Sequence, residues 1–227
     1  MRRLWGALAL CLGVTALLAG CKEFPALGVV LVPGSLYPMA AAEQDLVYDP
    51  SLLGEWRDAS TVDPVTGDQS DINEPIGKWF FEQGKTPGTY LLGRVYGETD
   101  HTTRTARLVK NGDAMFLDAV PDSDSNESKG SHVGPYSLGL HIFIRLQQEK
   151  GQLRLSVLSP DWYLCQLETK QFPLRIERLG EGLQVITSPP DAIRAFYAKA
   201  VTDPTAFTDA IVEPIVLVRP KALPKRS

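Results

Sequence analysis

Apolar and polar residues alternate along the middle of the chain with the period of two that is typical of half-buried β-strands. Residues 78–82 (KWFFE) and 89–96 (TYLLGRVY) are rich in aromatic and apolar side chains, and a segment with Gly and Pro separates them. Aromatic and β-branched residues favour sheets, whereas Gly and Pro favour turns. The pattern therefore predicts two neighbouring strands joined by a turn.

A first hairpin is predicted at Asn111-Gly112, a pair that is favoured in two-residue turns because both central residues take a positive φ. With this pair at the turn, Leu108 lies opposite Met115 and Lys110 lies opposite Asp113. One face of the hairpin is then apolar, and the turn carries a pair of opposite charges.

A second hairpin is predicted at Lys150-Gly151. With this turn, Leu146 faces Leu155 on one side of the sheet, while Arg145 and Ser156 lie on the other side. Such an alternation is typical of an antiparallel sheet with one buried and one solvated face.

After the second hairpin the hydrophobic period becomes helical. Ser159-Pro160-Asp161 has the composition of a helix start, and Ser188-Pro189-Pro190-Asp191 repeats it. The second start precedes an apolar stripe at helical spacing, which consists of Ile193, Phe196, Tyr197 and Ala200. Asp203-Pro204 ends that helix, and a further strand pair is predicted around residues 179–182. The predicted fold class is α+β: an antiparallel β-sheet or barrel with two short helices in the C-terminal half.

The N-terminus has the pattern of an export signal. Arg2 and Arg3 are followed by Leu4–Leu18, a stretch without any charged residue. This run of about 15 residues is shorter than the ~20 residues that a helix needs to span a bilayer. Residues 1–20 are therefore interpreted as a signal peptide and excluded from the fold.

The signal ends in Leu18-Ala19-Gly20-Cys21, which resembles the lipobox of bacterial lipoproteins. The resemblance implies cleavage between Gly20 and Cys21, a diacylglycerol on the Cys21 thiol and a further acyl chain, such as palmitate, on the new amine. Two or more acyl chains anchor a protein stably. In Gram-negative lipoproteins an Asp after the Cys often retains the protein at the inner membrane. Lys22 at that position implies the periplasmic face of the outer membrane.

Residues 21–47 are predicted to be the lipidated N-terminal tether, and residues 48–227 a single β-rich domain with a helical C-terminal part. The tether is unusually apolar over 26–39, whereas flexible tethers are polar. It is expected either to pack on the domain, as an edge strand, or to lie close to the membrane. Packing on the domain is the interpretation we favour.

Leu53-Gly54-Glu55-Trp56 is predicted to open the first strand of the domain. Its Gly-x-Trp pattern, formed by Gly54 and Trp56, resembles the first-strand signature of lipocalins and other calycins. In that family the Trp closes one end of an eight-stranded barrel. The resemblance implies a calycin-like barrel that carries a small apolar ligand.

Charge and cysteine content narrow the function classes further. The chain has a formal net charge of −4, whereas nucleic-acid-binding proteins have a basic surface. No nucleic-acid partner is therefore expected. Of the three cysteines, Cys11 leaves with the signal and Cys21 carries lipid. Cys165 is therefore expected to be a solitary, buried apolar residue, and no intramolecular disulfide is predicted.

The candidate catalytic and metal-binding residues match no complete motif. The chain contains three histidines, which are His101, His132 and His141. They are not spaced as zinc ligands, and Ser137 lacks the context of a nucleophile elbow. Asp122–Asn126 imitates the start of a calcium loop, but Glu127 and Val133 replace its required Gly and Glu. No catalytic residue, metal or cofactor is assigned.

Three hypotheses for function follow. The first is a non-enzymatic envelope lipoprotein that acts as a binding or structural accessory, with an envelope protein as its partner. The second is a calycin-like carrier of a small apolar ligand. The third is an envelope hydrolase whose residues converge only in space. A carrier requires an interior ligand site, an enzyme requires converging titratable groups, and an accessory requires an exposed apolar patch.

Overall fold

The computed structural model describes residues 33–61, 77–96, 100–121, 139–169, 173–179, 183–208 and 213–220. The predicted signal peptide, its cleavage site at Gly20 and Cys21, and Lys22 lie outside these ranges. The same is true of His132, Ser137 and the calcium-like segment that begins at Asp122.

Within the described residues the helices are α1 (Pro160–Glu168) and α2 (Pro190–Thr202), with short 3-10 helices at Glu43–Asp45, Pro50–Leu52 and Ala59–Thr61. The strands are β1 (Gly34–Ser35), β2 (Leu46–Val47), β3 (Gly54–Asp58), β4 (Lys78–Gln83), β5 (Thr89–Tyr96), β6 (Asp100–Asn111), β7 (Ala114–Pro121), β8 (Ile142–Glu149), β9 (Gln152–Ser156), β10 (Ile176–Leu179), β11 (Leu183–Ile186) and β12 (Ile215–Val218). The strands predicted at KWFFE and TYLLGRVY correspond to β4 and β5.

Eight of these strands close into an antiparallel barrel. From β3 to β9 each strand pairs with the next along the chain, and β12 completes the circle by pairing with both β9 and β3. Closure removes the sheet edges that an open sheet exposes. The predicted α+β class is confirmed, and its β part is the barrel rather than an open sheet. Gly54 opens the first barrel strand, as the Gly-x-Trp pattern implies.

An outer layer covers one side of the barrel. Between β9 and β12 the chain forms α1, the β10–β11 pair and α2, and β1 joins β11 to make a separate three-stranded sheet. Phe116 on β7 and Phe143 on β8 contact Tyr197 of α2 edge to face, with ring centroids 5.4 and 5.2 Å apart. The predicted apolar stripe of α2 is buried in this layer. Burial of each such side chain contributes roughly 1.5–3 kcal/mol to the free energy of unfolding.

The barrel has two different ends. At one end, which we call the turn end, the strands are joined by short turns at residues 84–88, 112–113 and 150–151. At the other end, the loop end, β3 leads to β4, β5 to β6 and β7 to β8 through residues outside the described ranges. Any ligand that enters the barrel away from the tight turns would enter at the loop end.

The first predicted hairpin forms, with a register that differs from the prediction by two residues. Leu108 pairs with Leu117, and the turn is Gly112-Asp113, in which the glycine has a φ of 63°. Asn111 remains in the strand because its side-chain Nδ2 donates a hydrogen bond of 2.9 Å to the carbonyl of Arg194 on α2. A shift of two residues keeps the predicted apolar face, but it removes the predicted charge pair from the ladder.

The second hairpin has the predicted turn and register. Leu146 pairs with Leu155, and both turn residues have a positive φ, 49° at Lys150 and 79° at Gly151. The expectation of a solvated opposite face is wrong. Ser156 is buried there, and Arg145 lies over the ring of Phe207, its Cζ 5.1 Å from the ring centroid. The outer layer covers this face, which the strand pattern alone does not reveal.

The first helix start follows the predicted chemistry, whereas the second lacks the serine cap because the Ser188 hydroxyl accepts a hydrogen bond of 2.6 Å from the backbone N–H of Arg175. Ser159 caps α1, its hydroxyl accepting a hydrogen bond of 3.3 Å from the backbone N–H of Trp162. Helix α2 begins at Pro190, with Pro189 in the cap position, and its C-cap is Asp203. The predicted strand pair around residues 179–182 is the antiparallel pair β10–β11.

The described part of the predicted tether packs on the domain. Strand β1 runs parallel to β11, and β2 adds to the edge of β6. Met39 between them is fully buried, and Asp45 forms an ion pair of 3.0 Å with Arg194 of α2. Packing therefore explains part of the apolar character of this segment, as the sequence favours, whereas Leu36 and Tyr37 remain exposed.

Candidate functional site

The turn end of the barrel is closed by residues of the first and last barrel strands and of the segment that precedes them. Trp56 is only 2% exposed, and its indole Nε1 donates a hydrogen bond of 2.8 Å to the carbonyl of Leu52. Tyr90 is fully buried, and its hydroxyl accepts a hydrogen bond of 2.7 Å from the backbone N–H of Asp49. Burial raises the pKa of Tyr90. Trp56 lies directly opposite Trp79 of β4, so the packed interior extends from the turn end as far as these two indoles.

Large apolar side chains fill the barrel interior toward the turn end. Buried residues that share this interior cluster are Leu52, Trp56, Phe81, Tyr90, Leu92, Leu108, Leu117, Leu146, Leu153, Leu155 and Leu217. A barrel of eight strands is just wide enough for side chains to fill or for one small ligand to enter. The chemistry of a site therefore depends on the side chains nearer the loop end.

At the loop end two arginines lie on the interior face. Arg94 of β5 is directly opposite Trp79 of β4, and Arg104 of β6 is directly opposite Leu92. Opposite residues of a ladder share a face, and both partners belong to the interior cluster. The guanidinium carbon of Arg94 lies 5.0 Å from the centroid of the Trp79 ring, a cation–π contact. Both arginines are half-buried.

Trp79 adds a hydrogen-bond donor to this group. Its side chain is 9% exposed, and its indole N–H has no acceptor among the described residues. A buried donor without an acceptor costs roughly 1–3 kcal/mol. This N–H is therefore a donor that a further acceptor would satisfy.

The opposite wall of the loop end is aliphatic. Ile144 on β8 lies opposite Leu117, and Ile215 on β12 lies opposite Leu155, so both face the interior. Both are nevertheless only half-buried. The loop-end site, defined as Trp79, Arg94, Arg104, Ile144 and Ile215, therefore combines cationic and aliphatic surface.

Outside the barrel, the carboxylate of Asp118 is buried beneath the outer layer. One of its oxygens is 2.6 Å from Nδ1 of His141, and the other accepts a hydrogen bond of 2.8 Å from the backbone N–H of Met39. His141 also forms a backbone bridge with Ser35, with hydrogen bonds of 2.8 and 2.9 Å. This Asp–His pair holds the N-terminal segment against β7 and β8.

Ser35 does not complete a catalytic arrangement with this pair. Its buried hydroxyl donates a hydrogen bond of 2.8 Å to the carbonyl of Tyr37 and accepts one of 3.1 Å from the N–H of the same residue. The Ser35 hydroxyl thus forms its hydrogen bonds with the backbone of Tyr37, and the imidazole of His141 pairs with the carboxylate of Asp118.

Two grooves lie on the outer surface of the described part of the barrel. One, of about 390 Å³, is lined by Gln147, Glu149, Gln152, Arg154 and Val216. The other, of about 360 Å³, lies between β2 and the turn that joins β4 to β5, and Tyr48 and Arg107 line it. Both are open to solvent and polar in part, so neither resembles an enclosed ligand site.

Several residues singled out in the sequence have different surroundings from those expected. His101 lies in β6, its backbone paired with Val95, rather than in a turn. His141 is half-buried in its pair with Asp118 rather than on a solvated face. Cys165 is half-buried and disulfide-bonded in the structure of the full chain, whereas the sequence predicts a solitary residue once the signal is removed and Cys21 carries lipid. Its partner lies outside the described residues.

Arg94 and Arg104 were not predicted from the sequence to lie inside the barrel, although the strand pattern indicates this position for Arg94. In TYLLGRVY the residues Tyr90, Leu92 and Arg94 share one face by alternation. A charge that continues an apolar face is a candidate for function.

Among the described residues no group of three or more His, Cys, Asp or Glu side chains is placed to hold a metal ion.

The described helices offer no segment that is both long and apolar enough to cross a membrane. Comparison of the chain with models of known protein families, with curated proteins and with solved structures finds no match.

Proposed function

We propose that the protein is a lipid-anchored, non-enzymatic binding protein of the bacterial cell envelope, which carries a small ligand at the loop end of its barrel. The observation that carries the binding role is the position of Trp79, Arg94 and Arg104 on the interior face. Filling a barrel requires only apolar side chains, and a charge inside costs solvation free energy. The buried N–H of Trp79 has no acceptor among the described residues, and a ligand in the barrel would supply one.

The anchor in this proposal is an acylated Cys21, with Lys22 directing the protein to the periplasmic face of the outer membrane. Its support is the agreement of three sequence features: the basic start, the apolar run and the lipobox. Residues 22–32 lie between Cys21 and Pro33, the first residue that the structure describes.

A non-enzymatic role is supported by the way in which Asp118 and His141 are used. Both oxygens of the carboxylate are occupied, one by the imidazole and one by a backbone N–H. A general base must instead be within reach of a proton on its substrate. No observation on the described residues favours the hydrolase hypothesis.

A structural accessory is the second candidate. Leu36 and Tyr37 are 54% and 46% exposed, adjacent to each other in the N-terminal segment. A contiguous exposed apolar patch marks a surface that contacts another protein, and these two neighbouring side chains would form part of such a patch. In this alternative the barrel is a scaffold and the N-terminal segment binds an envelope protein.

Native mass spectrometry of the protein extracted from cell membranes distinguishes the two candidates. The binding proposal expects a small molecule that co-purifies with the wild-type chain and is depleted in Trp79→Leu, which removes the buried indole donor. Tyr37→Ser is the matched control and should retain the molecule. A co-purifying protein that Tyr37→Ser releases, without any small molecule, would instead support the accessory role.

A further inference from the structure

We propose that Leu36 and Tyr37 dock the domain on the lipid surface that holds its anchor, with the loop end of the barrel turned toward the bilayer. The occupant of this exposed surface is thus the head-group region of a membrane. The inference rests on the acylation of Cys21 in the proposed function, and it adds a second, non-covalent contact with the same membrane.

The N-terminal segment of the described domain contains an uncharged, exposed stretch. Residues 36–42 (LYPMAAA) have no charged side chain, and the first charge after them is Glu43. Leu36 and Tyr37 are 54% and 46% exposed, and Tyr48 is the third exposed large apolar residue in the described ranges. The side chains at 41 and 42 are exposed as well. We call residues 36–42 the apolar patch.

Backbone contacts hold the apolar patch on the domain. The N–H of Leu36 donates a hydrogen bond of 3.0 Å to the carbonyl of Ile186 on β11, and the N–H of Tyr37 donates one of 3.1 Å to the hydroxyl of Ser35. Met39, two residues later, is fully buried. The exposed side chains are therefore presented on a fixed backbone, so little conformational entropy is lost when another surface covers them.

The length of chain between the anchor and the patch keeps a membrane within reach. Residues 22–32 separate Cys21 from Pro33, and even a fully extended chain of this length spans no more than about 40 Å. A surface that is linked so closely to a bilayer meets lipid at a high effective concentration, so a weak apolar contact is sufficient for docking. An unlinked protein partner has no such advantage at this place.

The side chains of the patch have the chemistry of a membrane interface. The ring of Tyr37 is apolar and its hydroxyl is polar, a combination that is enriched where acyl chains meet head groups. Leu36 beside it gains free energy when its exposed apolar surface is covered. Because residues 36–42 carry no charge, docking requires no anionic lipid, and zwitterionic lipid is sufficient.

The position of the patch in the fold determines which end of the barrel faces the bilayer. Ser35, directly before the patch, exchanges two backbone hydrogen bonds with His141, which immediately precedes β8 at the loop end. Tyr48 lies instead at the turn end, where its ring is stacked on Tyr90 with the centroids 5.2 Å apart. Docking through the patch therefore turns the loop end, where a ligand would enter, toward the membrane.

The test uses the acylated protein, purified from membranes of cells that express the full chain. It is reconstituted into phosphatidylcholine vesicles that contain a photoactivatable phosphatidylcholine, with a diazirine close to the ester of one acyl chain. Cleavage after Glu43 and Glu55 separates the patch from Tyr48, and fragmentation of the first peptide locates the label within it. Residues 36–42 should carry at least about tenfold more label than the peptide with Tyr48, since only the patch is covered by lipid.

Leu36→Asp should lower the label on residues 37–42 by about tenfold, because a carboxylate resists transfer from water into the lipid interface. Tyr48→Asp is the matched control: it makes the same change at the exposed apolar residue outside the patch and should leave the label on the patch unchanged. Circular dichroism of both variants verifies that the barrel is intact. The comparison of the two peptides in the wild type requires no variant.

Flotation of the vesicles separates the failure of this inference from the failure of the anchor. Protein that floats with the vesicles but has no label on residues 36–42, or equal label there and at Tyr48, would overturn the docked orientation and leave the lipid anchor standing. Protein that neither floats nor carries acyl chains would overturn both. If the patch stays unlabelled and Tyr37→Ser releases a co-purifying protein, the patch binds that protein, and docking on lipid is overturned.

Discussion

The guanidinium carbon of Arg219, directly after the last barrel strand, lies 3.8 Å from the centroid of the Trp56 ring on the first barrel strand. The same guanidinium donates hydrogen bonds to the carbonyls of Ser51 and Glu55. Trp56 in turn donates to the carbonyl of Leu52. One side chain therefore joins the last strand of the barrel to the first and to the 3-10 helix that covers the turn end.

Replacement of Arg219 by Met should lower the free energy of unfolding by about 1–2 kcal/mol, because the cation–π contact and the hydrogen bonds to two carbonyls are lost. The free energy of unfolding of Arg219→Lys should lie between those of the wild type and the Met variant. An ammonium group keeps the positive charge but lacks the planar arrangement of N–H donors. Urea unfolding monitored by tryptophan fluorescence measures the effect. Arg178→Met, at an exposed position of β10, is the control. Equal stability of the Met variant and the wild type would contradict this role in barrel closure.

The pair of Asp118 and His141 should be a second determinant of stability. Asp118→Leu removes the acceptor for both His141 and the backbone N–H of Met39, so the free energy of unfolding should fall by about 2 kcal/mol or more. Hydrogen exchange at the amide of Met39 should accelerate more than exchange in β4 or β5. Asp113→Leu, in an exposed turn, serves as the control. Uniform acceleration throughout the barrel would show that the pair does not act locally on the N-terminal segment.

The local elements of this fold could be predicted because each depends on nearby residues. The turn at Lys150-Gly151 and the cap at Ser159 are examples in which a few adjacent residues determine backbone geometry. Closure of the barrel could not be derived in this way. It depends on the pairing of β12 with β3, which joins residues about 160 positions apart. The one sequence feature that indicated barrel closure was the Gly-x-Trp pattern, which resembles the first-strand signature of calycins.

The surroundings of individual side chains were harder to predict than the strands. The face that carries Arg145 and Ser156 has the polar composition of a solvated surface, but the outer layer covers it. The contact between Asp118 and His141 depends on the register of β7 against β8 and on the path of the N-terminal segment. Neither is encoded locally. Arg94 is the exception, since simple alternation places it on the interior face.

Buried tyrosines predict a loss of stability at alkaline pH. Burial raises the pKa of Tyr163 and of Tyr197 far above the ordinary value of 10.0. Between the unfolded and the folded pKa, the unfolded chain has released a proton that the folded chain retains. The stability contributed by these groups is therefore full below about pH 10 and falls as the pH rises, by up to about 1.4 kcal/mol per pH unit for each tyrosine.

Tyr163→Phe tests whether tyrosine burial lowers the stability of the protein at alkaline pH. The hydroxyl of Tyr163 is buried without a hydrogen-bond partner among the described residues, so its removal should leave stability at pH 7 unchanged or increase it. The same variant should reduce the slope of stability against pH above pH 10. Urea unfolding at intervals between pH 8 and pH 11 measures both effects, with Tyr37→Phe, an exposed tyrosine, as control. An unchanged alkaline slope would show that Tyr163 ionises equally in both states.

Acylation of the Cys21 sulfur and a disulfide at the same sulfur exclude each other. The redox state of Cys165 bears on which of the two occurs. A sulfur that carries a diacylglycerol thioether cannot form a disulfide. Cys165 is disulfide-bonded in the structure, and the other cysteines of the chain are Cys11 and Cys21. In the lipoprotein that we propose, Cys11 leaves with the signal and Cys21 is acylated, so neither sulfur is available to form the disulfide of Cys165.

The mature, membrane-bound protein should therefore react at Cys165 without prior reduction. Maleimide-polyethylene glycol added in denaturant without a reductant should shift the whole band, and Cys165→Ser should abolish the shift. Cys21→Ser should lose fatty-acid labelling and accumulate as an uncut precursor, in which Cys11 is retained and available to Cys165. If the mature wild-type protein reacts with maleimide only after reduction, and runs as a monomer on a gel without reductant, Cys165 forms a disulfide within the mature chain and Cys21 carries no lipid. The membrane anchor would then have to be abandoned, while the binding site inside the barrel would remain to be tested by native mass spectrometry.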